Sequence, residues 1–232
     1  MRAALARRLE EDATLGARLL AAGGVATALV VPMLLLFLAV QDRWPPLRAV
    51  DEGTAQRLND VAVASPALVT FLQGVSAVFD PWSFRALGLV LVVVLARQRR
   101  DRLAVWVGVT IGGSGLVSGG AKLLFGRDRP VLDTAVASAP GLSFPSGHAL
   151  GSIVGIGVLV LLVESRLSRP ARLAAVVAAV LVVLTVGWSR VGLGVHFVSD
   201  VLAGWLLGGA WLAATTIAFA VRPRRSGAPA GP

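Results

Sequence analysis

Residues 172–200 read RLAAVVAAVLVVLTVGWSRVGLGVHFVSD. After Arg172 no charge appears until Arg190, and the apolar part, 172–188, approaches the ~20 residues that cross a bilayer as a helix. Ser189, Arg190, His196 and Asp200 then follow within one short stretch. An apolar rod that ends in a cation, an imidazole and a carboxylate reads as a membrane helix with ionisable groups at its mouth.

Working outward, the same pattern recurs at about 17–40, 82–97, 103–124, 147–164 and 198–221, which makes six predicted spans. The whole composition agrees. Of 232 residues 56% are hydrophobic and 15% charged, with a mean hydropathy of +0.77, outside the balance of a soluble domain. A seventh stretch, 61–79, is moderately apolar but holds Ser65, Pro66, Thr70, Gln73 and Ser76. Arginine placement decides its reading, because Lys and Arg gather in short cytoplasmic loops. With six spans the N-terminal arginines, the 97–102 cluster, the 166–172 cluster and the 222–225 tail share one side. With seven they do not. Segment 61–79 is therefore expected to be an interfacial or re-entrant helix in the outer loop 41–81, added to an all-α bundle of six transmembrane helices.

No polar block is large enough to fold apart from the spans, so residues 1–232 read as one domain, with 1–16 a cytoplasmic N-terminus and 222–232 a cytoplasmic, disordered tail. The first run is too long for a signal h-region and lacks a small-x-small site before Gln41, so it reads as a retained span. The net charge of +9 belongs to topology, with no nucleic-acid partner implied. The absence of cysteine excludes disulfides, a thiolate nucleophile and Cys-ligated metal. Glycine pairs at four-residue spacing, Gly115/Gly119, Gly151/Gly155 and Gly204/Gly208, suit close helix packing. Trp188 is a candidate wall for an acyl groove.

The unusual polar residues fall in loops 125–146 and 189–197, which this topology places outside the cell. Lys122 is the one lysine among 22 Lys and Arg residues. On a continuing helix it would share a face with Arg129, two turns on, before Pro130 ends the element. Asp128 and Asp133 read as surface charges balancing Arg127 and Arg129. His148, one of two histidines, follows Pro145, Ser146 and Gly147. Ser146 is a candidate N-cap, and the free N–H groups of Gly147 and His148 would face outward at the positive helix end, where phosphate binds well. His196 lies four residues before Asp200, a spacing that lets the carboxylate hold the imidazole and leaves the other nitrogen to attack. Three cations, a helix N-terminus and two histidines at one boundary suit phosphoryl transfer.

Three segments carry a family resemblance: 122–130, KLLFGRDRP; 145–148, PSGH; and 189–200, SRVGLGVHFVSD. They match K-x6-RP, PSGH and SR-x5-H-x3-D, and the chain resembles the type 2 phosphatidic acid phosphatases. The resemblance implies that Lys122, Arg129 and Arg190 hold phosphate oxygens with help from Ser146 and the Gly147 N–H. It further implies that His196 forms a phosphohistidine, that Asp200 orients it, and that His148 protonates the leaving oxygen and later activates water. No cofactor and no metal are expected, since the site lacks clustered carboxylates beyond Asp200.

The expected activity is hydrolysis of a lipid phosphate or diphosphate, of the phosphatidic acid, phosphatidylglycerol phosphate or polyprenyl diphosphate type. Phosphotransfer to another lipid from the same intermediate is the alternative. An anion or lipid transporter is less favoured, because no span places a charge at mid-membrane. The small size suits a bacterial inner-membrane enzyme. The partners expected are the lipid substrate and the bilayer, and the motifs carry no information on oligomeric state.

Overall fold

The computed structural model describes residues 24, 25 and 27–220. The expected N-terminus 1–16, the first residues of the first span and the tail 222–232 lie outside these. Among the described residues every regular element is helical: α1 (Thr27–Gln41), α2 (Pro45–Val63), α3 (Pro66–Val78), α4 (Pro81–Arg97), α5 (Asp101–Phe125), α6 (Gly147–Val163), α7 (Arg169–Gly192) and α8 (Val198–Ala220).

Local chemistry sets the breaks. Prolines open α2, α3 and α4, where a missing N–H costs nothing. Ser65 Oγ accepts from the Leu68 N–H at 3.4 Å and Asp80 Oδ1 from the Trp82 N–H at 2.7 Å, so each caps the helix that follows. Within α5, residues Gly108–Gly112 form a π-turn. The Thr110 carbonyl there accepts from Trp211 Nε1 at 2.8 Å, which ties the wide turn to α8.

Five helical runs are long and apolar enough to cross a membrane, and a sixth exists if α1 and α2, bent by 86°, count as one. The protein is an all-helical integral membrane protein. Large apolar side chains such as Leu89, Leu116 and Leu123 project outward, the last 85% exposed, as lipid-facing residues do. The stretch 61–79 is not one helix. Its first residues finish α2, Ala64 and Ser65 break it, and α3 runs on with α4 as a single 32-residue apolar rod, Pro66–Arg97. Pro66 and the Ser65 cap cause that division.

Helix α6 is the hub. Its Leu150, Val154 and Val158 pack with Leu95 of α4 and with Trp106, Val107 and Ile111 of α5. On its other side α8 comes very close. A Cβ on Gly204 would stand 2.6 Å from the Ser146 carbonyl, and one on Gly208 would stand 2.4 Å from Ile153. That glycine pair serves packing, as its spacing suggests. Gly155 makes room for Phe84, whereas Gly119 faces open space. An alanine at Gly208 is expected to lower the thermal midpoint in detergent, whereas Gly119→Ala is expected to leave it within about 1 kcal/mol of the original stability.

The arginine clusters 97–102 and 166–172 both lie at one end of the bundle. Arg100, Arg102 and Arg166 line one hollow there, and Arg102 donates to the Phe219 carbonyl at the end of α8. The start of α6 and the residues joining α7 to α8 lie at the opposite end.

Candidate active site

The Ser146 N–H donates to the Asp200 carbonyl at 2.9 Å, which ties the beginnings of α6 and α8 side by side. Lys122, Arg129, Gly147, His148, Arg190 and His196 line one cavity of about 370 Å³ between α4, α5 and α6. Ser146 and Asp200 are fully buried behind it. The structure thus gathers all eight residues singled out from the sequence. A slightly larger hollow, about 440 Å³, opens on the far side of Arg127 against α1 and α2, but it contains no histidine.

Some local expectations need correction. The helix that carries Lys122 does not continue to Arg129. It stops at Phe125, because Gly126 turns left-handed at φ 55° and its N–H returns to the Lys122 carbonyl at 3.0 Å, an arrangement glycine adopts without strain. Arg129 therefore reaches the site from a loop. Its Nε donates to the Gly141 carbonyl at 2.9 Å, and its Nη1 donates to the Val195 carbonyl at 2.7 Å. Lys122 Nζ donates to the Leu142 carbonyl, so both cations also hold the loop over the site. Ser146 occupies the N-cap position of α6, but its hydroxyl makes no cap bond. That Oγ is buried without a hydrogen-bond partner among the described residues, as is Nε of Arg190. Both are polar groups left available to a ligand.

His196 and Asp200 are not on one helical face, because α8 starts only at Val198. They still meet: Nδ1 of His196 stands 3.4 Å from Asp200 Oδ2, a charge contact at the outer limit of a hydrogen bond. Nε2 lies 3.2 Å from Arg129 Nη1. A proton on Nδ1, facing the carboxylate, leaves the Nε2 lone pair toward the cations. Burial, with the charges of Arg129 and Arg190, lowers the imidazole to about 4 against the opposing pull of Asp200. Burial likewise lowers Arg129 from its ordinary value.

Four residues that the sequence reading did not select complete the site. Arg127, its charge expected to be balanced by Asp128 and Asp133, instead bridges two buried carboxylates. Its Nη1 donates to Asp200 Oδ1 at 2.8 Å and its Nη2 to Asp51 Oδ2 at 2.8 Å. Asp51, fully buried on α2, also accepts the Ser199 N–H at 2.9 Å. The Phe197 N–H donates to Asp200 Oδ2 at 2.8 Å. The carboxylate behind His196 is thus fixed on both oxygens. Around His148, Ser76 Oγ stands 3.3 Å and Asp80 Oδ2 3.4 Å from Nε2, while Arg190 donates to the Ser76 hydroxyl. A neutral Nε2 can accept the hydroxyl proton, and a protonated one can face Asp80. Ser76 and Asp80 thus hold Nε2 of His148 at the cavity. Trp188 is not part of the cavity wall, and Trp82 is.

Such an arrangement can hold a tetrahedral dianion among three cations with an imidazole nitrogen behind the phosphorus. Comparison with known proteins shows the family of the chain. One stretch is 44% identical over 69 residues to phosphatidylglycerophosphatase B of Bacillus subtilis, covering 28% of this chain and 34% of that protein. Another match is 46% identical over 70 residues to the undecaprenyl-diphosphatase of Sulfolobus acidocaldarius, covering 30% of each. The matched stretch thus spans about a third of the length of either relative. Over the fold as a whole, the crystal structure of the transmembrane PAP2-type phosphatidylglycerolphosphate phosphatase from Bacillus subtilis superposes with a TM-score of 0.73 at 25% identity. It covers 82% of this chain and 94% of that one. The sequence profile of the PAP2 superfamily matches residues 103–224, more than half of the chain, and the chain belongs to that superfamily.

Proposed function

We propose that the protein is a lipid phosphatase that hydrolyses a lipid phosphate or diphosphate through a phosphohistidine on His196. The observation that carries this reading is the convergence of Lys122, Arg129, Arg190, His148 and His196 on one cavity, with Asp200 buried behind the nucleophile. The names of the relatives supply the substrate class, a phosphate or diphosphate on a membrane lipid.

In the first half-reaction Nε2 of His196 attacks phosphorus, the bond to the lipid oxygen breaks, and His148 gives that oxygen a proton. Lys122, Arg129 and Arg190, with Ser146 and the Gly147 N–H, take the equatorial charge. Asp200 balances the imidazolium as it forms. In the second half-reaction His148 removes a proton from water, water attacks phosphorus, and the N–P bond breaks to release phosphate and restore His196. A metal is not needed for either half. Asp200 and Asp51 spend their lone pairs on Arg127, Ser199 and Phe197, so the donor set suits cations of the chain itself. Phosphate release from a panel of lipid phosphates in detergent is expected to survive EDTA and to be inhibited by vanadate. A folded protein that cleaves none of the panel, or that needs added divalent metal, would be evidence against the proposal.

The acid side of the pH profile carries a separate expectation. An ordinary histidine is mostly protonated at pH 5, whereas His196, lowered to about 4, stays neutral and nucleophilic. Single-turnover labelling of His196 should therefore persist to about pH 5. Between 6.5 and about 4 the unfolded chain binds a proton that the folded chain does not, so this group makes stability fall as pH falls through that window. Loss of labelling near 6.5 that follows His196 would contradict the assignment.

In the bilayer, α1, the apolar part of the α3–α4 rod, and α5 to α8 form six spans of a single domain, with α2 and α3 in the outer loop over the site. The arginine clusters at the far end support a cytoplasmic face there, hence an extracytoplasmic site in a bacterial inner membrane. The chain has no native cysteine, so a single cysteine placed at Ala135 should react with a membrane-impermeant thiol reagent in intact cells. Labelling only after lysis would reverse the orientation.

A further inference from the structure

Arg85, on α4, lines the same cavity as Lys122, Arg129, His148, Arg190 and His196, and the phosphoryl mechanism does not use it. Its guanidinium lies over the Trp82 ring, 4.3 Å from the centroid, and has no ion-pair or hydrogen-bond partner among the described residues. It occupies the space left by a glycine: a Cβ on Gly115 would stand 2.6 Å from its Nη2. Gly115 therefore makes room for this arginine rather than for a helix contact, and Gly119 has no part in it.

Depth along the cavity follows from the helix rise. Helix α5 presents Lys122, Ser118, Gly115 and Ile111 to it in that order going inward. A Cβ on Gly147 would lie 3.4 Å from Ser118 Oγ, so Ser118 is level with the start of α6. Gly115 is three residues further, ~4.5 Å at 1.5 Å per residue. The Arg85 guanidinium thus sits about one turn inward of the N–H groups that face the phosphate. Beyond it the lining is apolar: Ile111, Phe84 and Val154. Arg85 is half-buried there, a cation without a partner at the border between a polar mouth and an apolar channel, placed to meet an anion of the ligand.

We propose that Arg85 is a second anion-binding residue of this cavity. It takes a second phosphate of the lipid, a head-group phosphodiester or the inner phosphate of a diphosphate, beyond the phosphate presented to His196. The proposal rests on the lipid phosphatase reading above and narrows its substrate class. Two phosphorus atoms joined directly through one oxygen are roughly 3 Å apart, whereas a three-carbon polyol between them sets them roughly 6 Å apart, by ordinary bond lengths. The ~4.5 Å rise between the two anion sites falls between these spacings, so the second phosphate of either kind of lipid can reach the guanidinium. A guanidinium also meets a phosphodiester with two parallel N–H···O bonds.

The test uses the full chain in detergent with three substrates: dioctanoyl phosphatidylglycerophosphate, farnesyl diphosphate and farnesyl monophosphate. Losing a charge-assisted bond is expected to lower kcat/KM of Arg85→Gln by about 10- to 100-fold for the first, mainly through KM. The loss should be of the same order for farnesyl diphosphate and at least fivefold smaller for farnesyl monophosphate, which has no second phosphate. Arg85→Lys should recover part of the difference. Gly115→Ala, which displaces only the flexible end of Arg85, should move selectivity the same way while circular dichroism and thermal midpoint stay as in the wild type. Equal loss on all three substrates, or no loss on any, overturns the proposal and leaves Arg85 a snorkelling anchor. A wild-type chain that cleaves none of the three overturns the phosphatase reading and this one with it.

Discussion

Alanine in place of His196 is expected to lower turnover on the order of 10⁵-fold, the scale seen when a covalent nucleophile is removed. The reason is chemical rather than steric. Nε2 is the nitrogen that faces the cations, 3.2 Å from Arg129, while the other nitrogen is turned to Asp200. No second imidazole can take its place, because His148 is held by Ser76 and Asp80 on the opposite side. Lys122, Arg129 and Arg190 remain, so inorganic phosphate should still bind, with affinity reduced but measurable. Rapid acid-free quenching of wild-type protein with labelled substrate should place the label at residue 196, and the alanine variant should carry none. Label trapped at any other residue would remove His196 from the nucleophile's role.

Arg127→Ala should have the largest effect on stability. It leaves Asp51 and Asp200 buried with no cation between them, and breaking a buried pair from one side typically costs about 3–5 kcal/mol. Here two carboxylates lose the same partner. The loss should show as a lower unfolding midpoint in detergent and a fall in kcat on the order of 10²- to 10³-fold, since Asp200 no longer keeps its place behind His196. Arg127→Lys keeps the charge but cannot bridge both carboxylates with a planar fork, so an intermediate result is expected. A variant with wild-type midpoint and wild-type turnover would show the bridge to be dispensable.

The fate of Arg127 also marks where the sequence stops being legible. It lies inside the 122–130 motif, yet its partners are 76 residues upstream and 73 downstream, and no local pattern joins them. Asp51, Ser76 and Asp80 lie in the outer loop 41–81, part of which has ambiguous hydropathy, and their contacts arise only once α2 and α3 fold over the mouth. By contrast Lys122, Arg129, His148, Arg190 and His196 stand at the ends of strongly apolar runs. Helix length alone brings such ends to one boundary, so these residues could be grouped without knowing any contact. The turn at Gly126 escaped because a single left-handed residue leaves little trace in the apolar pattern, whereas proline, which does, pointed four residues too late.

The rod Pro66–Arg97 has a mechanical consequence. At 1.5 Å per residue its 32 residues extend ~48 Å, against a hydrocarbon core of ~30 Å. Its inner part is gripped by lipid, and its outer part carries Ser76 and, at the joint, Asp80, the two groups that hold His148. Packing against neighbouring helices and interfacial anchors set the tilt of such a rod. Ser76 and Asp80, which face Nε2 of His148, are therefore carried by a rod longer than the bilayer is thick, while His148 itself stands on α6 and the nucleophile is tied to that same helix through Asp200 and Ser146.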